Sequence, residues 1–145
     1  MITNNLTNLD IPNSKNIDTN RVSKIISTFN NKFLMLQKKN GQFELPGGHI
    51  QRGESPINGA KREFFEETGV DIKKINQISS NSYRVLYRGY INTSNIKLSS
   101  EHKSFRFVSE RELFKLPLSK WSKKDLAFLK PRKKTPDEEE LDDEI

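Results

Sequence analysis

The chain has 145 residues, carries a formal net charge of +6 and contains no cysteine. This length suits one domain with its own core, and the absence of cysteine excludes a disulfide framework and a thiolate metal site, which fits a cytoplasmic location. The N-terminal residues lack the basic start and apolar run of a signal peptide, and we expect no membrane span.

Residues 1–20 are rich in Asn, Thr, Ser and Asp and show no apolar periodicity, so we expect a flexible leader ahead of a domain over residues 21–130. Strands follow in the β-branched and aliphatic runs, with Asn30-Asn31 and Asn40-Gly41 as hairpin turns that tolerate positive φ. The predicted strands cover residues 22–29, 32–38, 42–45, 83–91 and 104–108.

One helix with marked ends is predicted over residues 56–68. Ser55 is a good N-cap, Pro56 suits the first helical position, and Gly69 can take the left-handed conformation that ends a helix. Its core-facing side is predicted to be formed by the apolar residues Ile57, Ala60 and Phe64.

The same helix carries three glutamates on one face, because Glu63 lies three residues before Glu66 and four before Glu67. Like charges at these spacings repel, and a divalent cation would supply the missing positive charge. Oxygen ligands of this kind favour Mg²⁺ or Mn²⁺. The alternative is a solvated acidic helix face without a ligand.

Two further helices are predicted after the last strand. Ser109 and Glu112 form a capping box that opens a helix over residues 110–116, which Pro117 ends. The last helix is predicted to start at Ser122 and to stop before Pro131.

The C-terminal segment 131–145 is charged and lacks an apolar stripe, so we expect it to be disordered. It holds seven of the nineteen acidic residues, all within positions 137–145, and without them 25 basic residues face 12 acidic ones, a charge of +13. Such a body attracts polyanions, including nucleotides and RNA ends. The acidic segment either solvates the chain or competes weakly with polyanionic substrates.

The stretch from Gly48 to Val70 resembles the box of the Nudix hydrolases at every fixed position: Gly, five residues, Glu, seven residues, then Arg-Glu-apolar-any-Glu-Glu-any-Gly-apolar. The resemblance implies an α+β protein, an α/β/α sandwich around a mixed sheet with the box as a loop-helix-loop beside it. It also implies metal-dependent hydrolysis of a nucleoside diphosphate linked to another group, either a nucleoside triphosphate or a dinucleoside polyphosphate.

The resemblance implies a role for each box residue. Glu66 and Glu67 are expected to bind the metal with the Gly48 carbonyl, and Glu63 is either a further ligand or the general base. The remaining expectations are that Arg62 orients the glutamates, that Gly47, Glu54 and Gly69 shape the loop, and that Glu101 approaches the metal from outside the box or is an ordinary exposed residue. His49 and His102 are given no catalytic role.

Substrate choice is predicted from residues outside the box. In some relatives a Tyr about sixteen to eighteen residues after the box accompanies dinucleoside polyphosphate hydrolysis, and Tyr87 lies seventeen after Val70. The alternative is that this strand tyrosine packs instead of stacking on a ligand. Phe43, Tyr83 and Tyr90 are candidates for stacking on a base, and Arg84 and Arg88 for binding phosphates. The open alternatives are an RNA 5′-end pyrophosphohydrolase and a non-catalytic Nudix module that binds nucleotide or RNA, in either case a monomer or a homodimer.

Overall fold

A computed structural model describes residues 17–129 of the chain. The predicted tail 131–145 and the predicted leader up to residue 16 lie outside the described residues. The strands are β1 (Ile17–Phe29), β2 (Lys32–Lys38), β3 (Phe43–Glu44), β4 (Gly47–Gln51), β5 (Ile75–Ser80), β6 (Arg84–Tyr90) and β7 (His102–Val108). The helices are α1 (Pro56–Thr68), α2 (Glu110–Leu113) and α3 (Lys120–Leu126), and a 3₁₀ helix (Ala127–Leu129) follows them.

The seven strands form one mixed sheet. Its main order is β3-β2-β1-β6-β5, with β4 also paired to β1 and β7 to β2. The pair β1–β6 is parallel, and the other named pairs are antiparallel. Strand β1 is the hub, because it pairs with β2, β4 and β6.

Apolar side chains pack on both faces of this sheet. Neighbours along a strand point to opposite faces, so Ile25 joins one core cluster and Ile26 the other, as do Leu34 and Met35. The first cluster includes Ala60 and Phe64 of α1, and the second includes Leu113 of α2 and Leu126 of α3. Helices therefore cover both faces, and the predicted α/β/α sandwich is confirmed.

Helix α1 has the predicted bounds and the predicted caps. The Ser55 hydroxyl accepts the Asn58 N–H at 3.2 Å, and Gly69 adopts φ 73° while its N–H donates to the Phe65 carbonyl at 2.8 Å. Ala60 and Phe64 are fully buried. The helix is thus fixed against the sheet by the apolar face that its spacing predicted.

Three strand predictions differ from the structure. Strand β1 starts at Ile17, inside the predicted leader, because Ile17 pairs with Gln51. Strand β4 was expected to be loop, and its two glycines do form a ladder with β1 (Lys24 opposite Gly47, Ser23 opposite Gly48). Strand β5 has a polar sequence without the alternation that identifies a strand, and it forms at the sheet edge through pairing with β6.

The helices after β7 are shorter or earlier than predicted. The capping box of Ser109 and Glu112 is present, but α2 ends at Leu113 because the chain tightens there, with the Leu116 N–H donating to the Leu113 carbonyl ahead of Pro117. Helix α3 begins at Lys120 because Ser119, not Ser122, is its N-cap. Within residues 17–129 no helix is long and apolar enough to cross a membrane.

Candidate active site

An open cleft of about 960 Å³ is lined by β4 and by the glutamate face of α1. Glutamates of α1 line it together with lysines from β1 and from the β2–β3 turn, so acidic and basic side chains face one space. The charged lining residues are Lys24, Lys38, Lys39, Glu44, Arg62, Glu63, Glu66, Glu67, Arg84 and Glu101.

Arg62 is the centre of an ion-pair network in this cleft. Its Nε donates to Glu54 Oε2 at 2.7 Å, and its Nη1 to Glu63 Oε2 at 3.1 Å and to both Glu66 oxygens at 3.3 Å. Its Nη2 also donates to the His49 carbonyl at 3.1 Å. The hydrogen bond from Arg62 lowers the pKa of Glu54, and the fork ties helix α1 to the loop before it.

Glu67 is buried, with 4% of its surface exposed. Its Oε1 accepts the Gly47 N–H at 2.8 Å. Burial raises its pKa to about 7, against the lowering effects of the nearby Lys24 charge and of that hydrogen bond. Lys24 in turn donates to the carbonyls of Leu45 and Gly47, both at 3.1 Å, so one partly buried lysine and one buried glutamate hold the start of β4.

Glu63 faces the backbone of Gly48 at close range. A Cβ added to Gly48 would lie 2.6 Å from the Glu63 carboxyl carbon, so only glycine leaves the carboxylate in its position. Burial raises the pKa of Glu63, and repulsion from Glu66 and Glu101 raises it further, while Arg62 lowers it. The charge of Arg62 therefore does not fully offset the burial and the repulsion that disfavour the ionised form of Glu63.

The donor set of this site fits a hard divalent cation. It consists of carboxylate oxygens, with two of the glutamates (Glu63 and Glu67) holding raised pKa values, beside a glycine backbone with no side chain in the way. As the side chains stand, no group of three or more acidic or histidine residues within positions 17–129 is arranged to hold an ion. The reason is that Arg62 donates hydrogen bonds to Glu63 and Glu66 and the Gly47 N–H donates to Glu67. A cation would compete with these donors for the carboxylate oxygens.

Residues near β7 complete the cleft. Glu101 is exposed and lines it, and its charge acts on Glu63. His102 is buried, and its Nε2 lies 2.8 Å from Glu44 Oε2. Burial alone would raise the pKa of Glu44, but the contact with His102 and the charge of Lys24 lower it overall. His102 thus joins β7 to β3 inside the cleft.

Most of the side chains predicted to contact substrate do not line the cleft. Tyr87 is 4% exposed and belongs to the first core cluster, so its ring packs instead of stacking on a ligand, and Phe43 is equally buried in the second cluster. Arg88 lies over the Phe33 ring at 5.9 Å and does not line the cleft. Tyr83 and Tyr90 are exposed outside the cleft.

Arg84 does line the cleft, but Asp125 engages its guanidinium through two hydrogen bonds. The prediction that Arg84 binds phosphate therefore has a competitor within the protein.

Several residues of the cleft were not predicted from the sequence, and two of them, Lys24 and Trp121, carried a signal that could have identified them. Lys24 is a single lysine within an apolar strand segment. A lysine is rarely placed in a central strand without a partner, so its position indicated a polar contact at this point of the sheet. Trp121 was hidden by the misplaced start of α3, although it is the one tryptophan of the chain.

Comparison with known proteins gives one family and several relatives. The family model described as NUDIX domain matches residues 19–129. A Lactococcus lactis protein named probable DHNTP pyrophosphohydrolase is 37% identical over 68 residues, which are 47% of this chain and 39% of that protein. A Sus scrofa protein named bis(5′-nucleosyl)-tetraphosphatase (asymmetrical) is 28% identical over 101 residues, covering 59% of this chain and 69% of that protein.

Solved structures agree with the fold. The crystal structure of a MutT protein from Methanosarcina mazei superposes with a TM-score of 0.58 at 25% identity, covering 68% of this chain and 83% of that one. The chain therefore spans most of that structure, and well under half of the Lactococcus protein.

Proposed function

The chain belongs to the Nudix family, and from that premise we propose that it is a divalent-metal-dependent pyrophosphohydrolase. Its substrate is a nucleoside diphosphate linked to another group, with nucleoside triphosphates and dinucleoside polyphosphates as the favoured classes. One observation carries the proposal: Arg62 pairs with Glu54, Glu63 and Glu66, and the cleft that Arg62, Glu63 and Glu66 line is also lined by the buried Glu67.

Nudix hydrolases generally use divalent metals, and here Mg²⁺ or Mn²⁺ is proposed. Glu66 and Glu67 would hold the ion with the Gly48 carbonyl, and Glu101 would reach it from the cleft rim. Glu63 would be either a further ligand or the general base. The bound ion would neutralise phosphate charge and lower the pKa of a water molecule.

The chain's own residues supply positioning and proton transfer. Arg62 positions the glutamates through its guanidinium, which contacts Glu63 and Glu66. A cation that competes with Arg62 would make both of these carboxylates available. Lys24 donates to the Gly47 carbonyl, and Glu67 accepts the Gly47 N–H, so both side chains hold the start of β4. Where Glu63 is not a ligand, its carboxylate is the proposed acceptor of the proton of the attacking water, because it lines the cleft beside Glu66 and Glu67.

The names of two relatives support the substrate class. One is named for a pyrophosphohydrolase and one for a dinucleoside tetraphosphatase, and in both cases the substrate name belongs to the relative. Lys38 and Lys39 at the cleft rim favour a second candidate, a pyrophosphohydrolase of RNA 5′ ends, because basic residues beside the cleft would bind the phosphates of a continuing strand. A cytoplasmic location and a monomer or homodimer remain predictions.

The decisive experiment is a hydrolysis panel with Mg²⁺ or Mn²⁺. It contains dinucleoside polyphosphates, normal and oxidised nucleoside triphosphates, nucleotide sugars, ADP-ribose and triphosphorylated RNA, with products resolved by chromatography. Glu66→Gln and Glu67→Gln are expected to lower kcat by at least about 100-fold. Glu110→Gln, on the exposed surface of α2, is the matched control and keeps wild-type turnover.

Turnover of a small nucleotide with no turnover of RNA would select the first candidate, and the reverse the second. If the wild type cleaves no member with either metal while nucleotide or RNA still binds, the chain is a binding module and the enzyme proposal fails.

A further inference from the structure

The one tryptophan of the chain lies at the edge of the same cleft as the box glutamates. Trp121 is the second residue of α3, it is 49% exposed, and it lines the cleft together with Glu63 and Glu66. A large exposed aromatic ring in a cleft whose other side chains are mainly charged is unusual, since burying it elsewhere would be favourable.

Arg84 supports this ring from β6. Its Nε donates to Asp125 Oδ1 at 3.2 Å, its Nη2 pairs with Asp125 Oδ2, and its guanidinium carbon lies 5.0 Å from the centroid of the Trp121 ring. The side chains of Arg84 and Asp125 are 14% and 8% exposed, so the fork is held in a largely dry setting. Because Asp125 engages its donors, Arg84 acts as a rigid support of the indole.

One apolar side chain lines the cleft next to Arg84: Val22 of β1 is paired with Arg84 of β6. The Lys124 ammonium lies 4.8 Å from the centroid of the Trp121 ring on an exposed and flexible side chain. Because Trp121 is 49% exposed and lines the cleft, its ring is accessible to a flat group once Lys124 moves aside.

We propose that Trp121 is the platform on which the nucleobase of the substrate stacks, with Arg84 and Asp125 as the residues that position it. This inference rests on the proposed function, because the phosphates would lie over the box while the base reaches the cleft edge. Stacking on an aromatic ring accepts every base, so the site selects nucleosides over base-free polyphosphates and leaves the choice of base to other contacts.

A direct test uses the ring itself, since Trp121 supplies all of the tryptophan fluorescence of the chain. The full chain is titrated in EDTA, and again with Mg²⁺ by stopped flow before turnover occurs, with ATP, GTP, CTP and UTP and with inorganic tripolyphosphate. The expected result is saturable quenching by nucleoside triphosphates and none by tripolyphosphate, which has the phosphates without the base. Equal quenching by tripolyphosphate, or no saturable quenching by any of the four nucleotides, overturns the proposal.

Variants measured by calorimetry give a second readout. Trp121→Ala is expected to raise the Kd for ATP about tenfold or more and to leave the Kd for tripolyphosphate unchanged, whereas Trp121→Phe stays within about threefold of wild type because it keeps a stacking face. Tyr90→Ala removes an aromatic that is more exposed and lies outside the cleft, and it serves as the control for ATP binding. Wild-type ATP affinity in Trp121→Ala would contradict the platform.

The two proposals fail separately. If nucleotides quench the fluorescence in a base-dependent way but nothing on the panel is hydrolysed, the stacking proposal holds and the enzyme proposal fails. If substrate is hydrolysed but no nucleotide quenches the fluorescence, the enzyme proposal holds and the stacking proposal fails.

Discussion

Glu67 shows how one residue can serve function at the expense of stability. Its carboxylate is buried beside Gly47 at the start of β4, and burial raises its pKa to about 7 from an ordinary value of 4.5. Lys24 and the Gly47 N–H offset part of this penalty but not all of it. A residue selected for stability alone would be neutral at this position.

We therefore predict that Glu67→Gln stabilises the metal-free protein while abolishing turnover. Below about pH 4.5 the carboxyl is protonated in the folded and the unfolded chain, so no charge is buried. As pH rises from about 4.5 to about 7 the unfolded chain ionises first, and the wild type loses about 1–3 kcal/mol of unfolding free energy that the Gln variant keeps. Urea unfolding in EDTA at pH 4 and pH 8 measures the gap.

The side-chain amide oxygen of Gln can still accept the Gly47 N–H, so the comparison isolates the charge. A Gln variant that is less stable than wild type at pH 8, or a gap of equal size at both pH values, would contradict the burial argument.

The spacing of the box predicts which glutamates share one face of α1, whereas outside the box Glu101 and Arg84 line the cleft as expected but the aromatic candidates do not. Tyr87 was proposed from its distance to the box and Phe43 as a strand aromatic, and both lie in the core, since strands bury aromatic rings on both faces of a sheet that helices cover. The setting of Trp121 depends on tertiary packing, because Arg84 of β6 reaches the ring from a distant part of the sequence while it bonds Asp125 of the same helix.

At the scale of elements, helix α1 was predictable in full because its signals are local. Ser55, Pro56 and Gly69 act on the backbone next to them, and the apolar spacing needs no knowledge of the partner. Strands β4 and β5 were not, because their formation depends on pairing with β1 and β6 rather than on their own composition.

The C-terminal cap of α1 gives a prediction at this scale. Gly69 has φ 73°, and a Cβ there would lie 2.8 Å from the Lys97 Cβ, whereas Gly53 has φ 80° with open space around it. Gly53→Ala is expected to lower the unfolding free energy by about 1 kcal/mol through backbone strain alone. Gly69→Ala should lose at least about 1 kcal/mol more, because the loop carrying Lys97 must also move.

Urea unfolding followed by circular dichroism separates the two variants. Equal losses would mean that the contact with Lys97 does not matter and that α1 is ended by backbone conformation alone.

At the scale of the molecule, net charge is the feature that sequence predicts without any fold. Residues 17–129 hold 20 basic and 11 acidic side chains, a charge of +9, although most glutamates that are named above cluster in one cleft. The surrounding positive field is expected to attract polyanionic substrates from a distance, with an effect that falls as salt shortens the Debye length from about 10 Å at 0.1 M to about 3 Å at 1 M.

The seven acidic residues in positions 137–145 oppose that field, and this gives the last prediction. Deleting residues 136–145 raises the formal net charge from +6 to +13, so we expect a lower KM for a polyanionic substrate at low salt and no difference at high salt. Steady-state kinetics at fixed Mg²⁺ with varied KCl measures it. The matched variant keeps the length and replaces the seven acids by Asn and Gln; it should reproduce the deletion, because charge alone is the proposed cause. An unchanged KM at low salt in both variants would show that the segment does not act on the substrate, and a change in the deletion alone would assign the effect to chain length.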